Sequence, residues 1–183
     1  MRVSLIGELG KVWPENAKIN IDYYEKKCRE KGLLKLLFKV DGLPMSLNNH
    51  YQQGTRFCSP GTPGAFQDLK GRWRVRSNRL RPRAIDWRLV VTETMGRDRW
   101  LWKPTGVTAA ILLFESPEWL KKDRSVREMD VDNYPKGTFD AVQQSTETPD
   151  QLHWEFHVYK VLSKRKRTTI HLYDLGDLIP YYY

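Results

Sequence analysis

Two aspartates two residues apart, Asp130 and Asp132, open the densest run of chemistry-bearing side chains in the sequence. Within "MDVDNYPKGTFDAV", Met129 to Val142, they are followed by Asn133, Lys136 and Asp140. On an extended segment, side chains two apart project to one face. Two carboxylates held together stay ionised at low cost only when a cation sits between them. Mg²⁺, or Mn²⁺, suits such a pair: a hard ion takes one or two carboxylates and fills its remaining positions with water and substrate phosphate. If a helix follows, Asn133, Lys136 and Asp140 lie at i, i+3 and i+7 and share a face. Lys136 then points back at the carboxylates or toward a phosphate they hold. The competing reading is an ordinary acidic helix start. Asp132 or Asn133 would serve as N-cap, and Lys136 with Asp140 would form an exposed pair worth roughly a few tenths of a kcal/mol. Spacing alone leaves both open.

Something must hold that segment. The chain has 183 residues, 40% hydrophobic and 12% aromatic, enough for one domain whose core needs neither disulfide nor structural metal. The expected class is α+β: a single domain with a small mixed β-sheet flanked by helices, plus an N-terminal extension over residues 1–33. "NIDYYEKKCREKG" reads as a polar helix ending at Gly32, and Leu34 to Val40 as a strand stopped by Asp41, Gly42 and Pro44. Residues 52–70, with "CSPGTPG" at their centre, read as loop. "AIDWRLVVTETMG" fits a helix through Ile85, Leu89 and Thr92, or a hairpin with "RWLW"; the helix is favoured. Gly106 to Phe114 is apolar enough for a central strand. Tyr134 to Gln144 reads as a helix, with Pro135 in its first turn. "LHWEFHVYKVL", the basic turn "SKRKR" and "TTIHLYDL" are expected to form a hairpin.

Charge points to the partner. There are 31 Lys and Arg against 22 Asp and Glu, a formal charge of +9, and nucleic acid is the commonest anionic partner of such a chain. Residues 70–83, "KGRWRVRSNRLRPR", hold Lys70, Arg72, Arg74, Arg76, Arg79, Arg81 and Arg83 and no acid. A strand there puts Arg72, Arg74 and Arg76 on one face and Trp73 and Val75 on the other. A second run is Lys164, Arg165, Lys166 and Arg167. Both are candidate phosphate contacts, with solubilising surface charge as the alternative. Trp73, Trp100 and Trp102 are candidates to stack on unpaired bases, with core packing as the alternative. His153 and His157 would share a strand face too far apart to act as a ligand pair. Cys28 and Cys58 form no CxxC or zinc pattern. There is no signal-peptide pattern and no apolar run of ~20 residues, so the expectation is a cytoplasmic protein without a membrane partner.

"DVDNYPKGTFDAV" resembles the D-x-D-N-x-x-K-x-x-x-D-A signature of the RusA family of Holliday junction resolvases. Two further pieces agree in order. "PMSLNNHY", with Ser46, Asn48 and Tyr51, is similar to the motif loop after that family's first strand. "PDQLHWEFHVYK" is similar to its D-D-x-Q segment leading into a strand. The resemblance implies that Asp130, Asp132 and Asp150 are metal-binding catalytic carboxylates. It implies that Lys136 is the essential lysine and that Asn133 and Asp140 support it. Pro149 stands where the family has the first of two aspartates, and the linker after the helix is about one residue shorter; Glu147 and Glu155 are therefore alternatives to Asp150. The implied fold is RusA-like over residues 34–183, with a basic, loop-rich insertion at about 52–105. The implied activity is Mg²⁺- or Mn²⁺-dependent cleavage of branched DNA, the four-way junction, by a homodimer. The alternatives are a metal-dependent nuclease with another substrate preference and a non-catalytic branched-DNA-binding protein on the same scaffold.

Overall fold

A computed structural model describes residues 3–4, 13–45, 51–125 and 134–176. Strands β1 (Val3–Ser4) and β2 (Trp13–Pro14) pair antiparallel. Helix α1 (Glu15–Lys31) follows and stops at Gly32, whose φ of +63° is the left-handed conformation that glycine adopts without a Cβ penalty. Then come β3 (Lys35–Asp41), β4 (Tyr51–Phe57), β5 (Ala65–Gln67), β6 (Trp73–Leu80), α2 (Pro82–Met95) and α3 (Asp98–Leu101). The chain continues through β7 (Val107–Ser116), α4 (Pro135–Thr146), β8 (His153–Leu162) and β9 (Arg167–Gly176). The class is α+β.

The main sheet has the order β3-β9-β7-β8. β9 is antiparallel to both β3 and β7, while β7 and β8 run parallel. β7 is apolar from Ala109 to Phe114, and Thr108 to Ser116 are all buried. Period-two alternation sends Ala110, Leu112 and Phe114 to one face, where Trp87, Val91 and Met95 of α2 and Ala141 and Val142 of α4 cover them. Ala109, Ile111 and Leu113 go to the other face, against Ala17, Tyr24 and Cys28 of α1. The result is a three-layer sandwich, with α2 and α4 on one side of the sheet and α1 on the other.

The expected hairpin at residues 152–175 does not form. β9 is inserted between β3 and β7, and β8 lies beyond β7 at the sheet edge. Burial explains the choice: Thr168 to Gly176 are all buried and need neighbours on both sides, whereas most of β8 is half-exposed and tolerates an edge. The turn Ser163–Lys166 hops over the end of β7, with the Ser163 N–H 3.4 Å from the Ser116 carbonyl. A parallel β7–β8 pair in turn requires a crossover, and α4 is part of it.

Residues 52–70 also depart from the expected loop. The "CSPGTPG" centre and the turn at 68–70 are irregular, but β4 and β5 flank that centre and both pair with β6, giving a second, antiparallel sheet of order β4-β6-β5. None of its described residues belongs to either core cluster. Residues 82–95 form the favoured helix. No helix of the described residues is long and apolar enough to cross a membrane.

Candidate active site

Asp130, Asp132 and Asn133 lie outside the described residues, as do Ser46 and Asn48; Tyr51 is placed as the first residue of β4. The frame on the far side of the acidic pair is well defined. α4 starts with Tyr134 at the N-cap, without a side-chain cap, and Pro135 as its first residue. Tyr134 thus holds the N-cap position expected for Asp132 or Asn133, which lie outside the described residues. Pro135 needs no N–H partner and presets the helical φ, while Tyr134 anchors the start by packing on Phe114 and Trp119, with ring centroids 5.8 and 5.7 Å away. Trp119 is itself fixed by its indole N–H, which donates to the Phe114 carbonyl at 2.7 Å.

Two polar contacts with α2 set the rotation of α4. The Trp87 indole N–H donates to Thr138 Oγ1 at 3.1 Å, and the Thr92 and Ser145 hydroxyls are 2.6 Å apart. Thr138, Ala141, Val142 and Ser145 consequently face the core, and Lys136 and Asp140 face outward. Asp140 is shared between two cations: Arg88 Nη2 of α2 donates to Oδ2 at 2.9 Å, and Lys136 Nζ lies 3.4 Å from Oδ1. One carboxylate between two cations leaves a net positive charge at the head of α4, the positive end of the helix dipole. Lys136 is 52% exposed and its ammonium remains open to a ligand. Such an end suits a phosphate oxygen.

Asp150 opens a short 3-10 turn, Asp150–Leu152, closed by the Leu152 N–H on the Pro149 carbonyl at 3.0 Å. Thr108 pins the turn to β7: its hydroxyl donates to the Leu152 carbonyl at 3.2 Å and meets His153 Nδ1 at 2.7 Å. The His153 ring sits edge-on to Phe139, 4.6 Å between centroids. Phe139 is three residues from Lys136, a rise of roughly 4.5 Å along the helix. His153, the residue that follows the Asp150 turn, thus touches the same half of α4 that carries the lysine.

The alternative acids are placed elsewhere. Glu147 is exposed and leaves α4 in the left-handed conformation, φ 55°, at the end remote from Lys136. Glu155 faces α1, where the Tyr24 hydroxyl donates to it and His157 Nε2 stands 3.5 Å away. Burial first, then the Glu155 contact, pushes the Tyr24 hydroxyl far above its usual range. His153 and His157 do not share a face as expected. The β7–β8 register shifts between Thr108 and Ala109, leaving Trp154 as the extra residue of a bulge. His153 therefore packs toward α4, and His157 toward Tyr24 and Asn20. Among the described residues no group of three His, Cys, Asp or Glu could hold a metal ion.

The basic runs are partly engaged. Arg72 and Arg74 both bind Asp68, at 2.9 and 2.6 Å. Lys70, Arg76, Arg81 and Arg83 are exposed, and Arg79 lies on β6. In the second run Lys166 pairs with Glu118 at 2.6 Å and Arg167 begins β9 beside Asp41, while Lys164 and Arg165 are exposed. Of the stacking candidates, Trp102 is buried in the core, Trp73 is half-buried, and Trp100 is exposed under the Arg99 guanidinium. Sequence reasoning missed Arg88, whose only signal was its place on a helix of uncertain type. It also missed Phe57 and Phe66, each at the end or middle of a short alternating run.

The family model described as endodeoxyribonuclease RusA matches residues 83–173, which run from the start of α2 into β9. No curated protein matches the chain significantly.

Proposed function

Because residues 83–173 belong to the RusA endodeoxyribonuclease family, we propose that this chain is a metal-dependent, structure-selective endonuclease that resolves four-way DNA junctions during recombination and repair. Residues 34–183 would form the nuclease domain, with 1–33 as an extension whose helix α1 covers one sheet face. The observation that carries the reading is the outward-facing Lys136, held by Asp140 and Arg88 three residues after the Asp130–Asn133 segment.

The donor set fits a hard divalent ion: Asp130, Asp132 and Asp150 are carboxylates, and Asp140 is already committed to two cations. These three aspartates would hold Mg²⁺ or Mn²⁺, which when bound supplies water activation and charge neutralisation. The chain's own part is positioning and electrostatics, which dominate phosphoryl transfer. Water attacks phosphorus and one P–O ester bond breaks. The Lys136 ammonium offsets charge on the phosphate oxygens or on the departing oxygen. Asp140 keeps that ammonium at the head of α4, and Arg88 keeps Asp140 from following it. Asn133 supports the acidic pair from the adjoining position, and the loop with Ser46, Asn48 and Tyr51 supports the site. Exposed Lys70, Arg76, Arg81, Arg83, Lys164 and Arg165 contact backbone phosphates without reading sequence. A four-way junction presents two symmetry-related strands, which a two-fold homodimer in the cytoplasm would cut in pairs.

The test incubates the full chain with a labelled four-way junction and a linear duplex of the same sequence, with Mg²⁺ or with EDTA. Metal-dependent cutting confined to the junction is expected. Asp132→Asn, which removes charge but not shape, should lower the rate by at least about a thousandfold while junction affinity stays within about threefold. Equal cutting of both substrates, or none of either, would overturn the assignment. Full activity of Asp132→Asn would remove the acidic pair from the site.

A further inference from the structure

The sheet β4-β6-β5 lies wholly before the residues that match the family, and nothing above gives it a role beyond phosphate contact. Its register assembles one surface. Arg74 on the central strand is directly opposite Phe57 on β4 and Phe66 on β5. Residues directly opposite in an antiparallel ladder project to the same face, so Arg74 stands on the central strand between two phenylalanines. Phe57 is 63% exposed and Phe66 39% exposed. The Arg74 guanidinium lies 4.5 Å from the Phe57 ring centre, and that of Arg72 lies 5.2 Å away.

The group is held in place. Arg74 donates to Asp68 at 2.6 Å and to Thr55 at 2.9 Å. Asp68 also accepts the backbone N–H groups of Lys70 and Arg72, which fixes the turn between β5 and β6. Beside Phe66, on the same face, a concavity of about 570 Å³ is lined by Gln53, Thr55, Phe66 and Arg76. Its size falls in the range of small-ligand sites, roughly 300–1,000 Å³. Exposed rings on a basic sheet, outside either core cluster, add little to the packed core. They match what single-stranded nucleic acid needs: flat apolar surfaces for base faces, with arginines for the backbone.

We propose that this face is a base-stacking platform: Phe57 and Phe66, spaced by Arg74, take up unpaired nucleotides of the DNA substrate, with Arg76 meeting their phosphate. Duplex DNA has its bases stacked already and can use only the arginines. A branch point, where pairing is broken, can use the rings as well. The platform would therefore favour branched over linear DNA. This rests on DNA being the substrate but not on cleavage or on which junction is cut.

The test uses the full chain in EDTA and measures fluorescence anisotropy with two probes, an oligothymidylate of about twelve nucleotides and an abasic strand of the same length. The two carry the same phosphates and differ only in bases. Wild type should bind the thymidylate about tenfold or more tighter. Phe57→Ala combined with Phe66→Ala should abolish that ratio while affinity for the abasic strand changes by less than about twofold. Phe57→Tyr with Phe66→Tyr should keep the ratio, and Phe57→Leu with Phe66→Leu should lose it. These two pairs decide the matter if the alanine pair fails to fold. A wild-type ratio near one, or equal loss on both probes in the variants, overturns the platform. Junction cleavage by the same preparations is read separately: no cleavage with the ratio intact counts against the nuclease and leaves the platform standing.

Discussion

In the four-stranded sheet Thr108 to Ser116 are all buried, whereas in the three-stranded sheet Phe57 and Phe66 stand in water beside Arg74. Both pair their strands in antiparallel ladders, apart from the one parallel pair. They differ in what fixes them. In the first, the side chains of β7 are packed against helices on both faces, and a change of volume there is felt at once. In the second, the order comes from the Asp68 turn and from cross-strand pairs, and Phe57 and Phe66 stay exposed. Stability belongs to one sheet, and contact with a partner can be assigned to the other without disturbing the core.

That division can be attacked by mutation. The largest effect is expected at Leu112, fully buried between α2 and α4. Leu112→Ala should cost about 2–5 kcal/mol in urea unfolding, and Phe57→Ala less than about 0.5 kcal/mol. Similar losses at both sites would erase the distinction between the sheets.

A comparable effect should appear with pH, again only in the main sheet. His171 of β9 is buried, its Nε2 has no hydrogen-bond partner among the described residues, and burial, reinforced by Lys39 and Lys35 against Glu25, pushes it down to about 4. Unfolded, it would titrate near 6.5. Between these values the unfolded chain takes up a proton that the folded chain refuses. The associated stability is thus complete above about pH 6.5 and declines as pH falls toward 4, by up to about 3 kcal/mol. The shift in urea midpoint between pH 7 and pH 4.5 should shrink in His171→Asn. An identical shift in both proteins would mean other groups carry it.

Smaller and more local is Asp68→Ala. Amide exchange at Lys70 and Arg72, whose N–H groups donate to the Asp68 carboxylate, should quicken while global stability moves by less than about 1 kcal/mol. A large global loss would show that the second sheet is coupled to the core. At Asp68, partial desolvation alone would raise the carboxyl, but hydrogen bonds from Arg74, Arg72 and Lys70 outweigh it and hold the group well below its usual range. The least effect on stability is expected at Arg76→Ala. Here the readout is DNA affinity against salt, whose logarithmic slope should fall by about one. An unaltered slope would take Arg76 off the phosphate path.

How far the sequence reveals these regions follows the same physical line. β7 and α4 are legible because a long apolar run and a proline-led helix are local signals. The pair Lys136–Asp140 is legible for the same reason, at i, i+4 on one helix. Arg88 is not, because it reaches Asp140 from another helix, 52 residues away in sequence. The second sheet is obscured by its Gly, Pro and Gln content, which reads as loop. Its aromatic pair is invisible until the register sets Phe57 and Phe66 on either side of Arg74. The strand order of the main sheet fails on a different point: a short basic turn suggests a hairpin, and only the burial of β9 on both faces shows that another strand must fit between.

The placement of β9 has a further effect on how the chain is made. β9 is the last strand in order among the described residues, yet it is interior, bonded to β3 on one side and β7 on the other. During synthesis β3 and β7 appear well before the strand that joins them. For that interval both carry open hydrogen-bonding edges, the state in which nascent chains pair wrongly. Closing the sheet joins residues as far apart as Lys35 and Tyr173, and such long-range pairing slows folding. A polypeptide that stops at Lys166 would have every strand of the sheet except the one that makes it a single sheet.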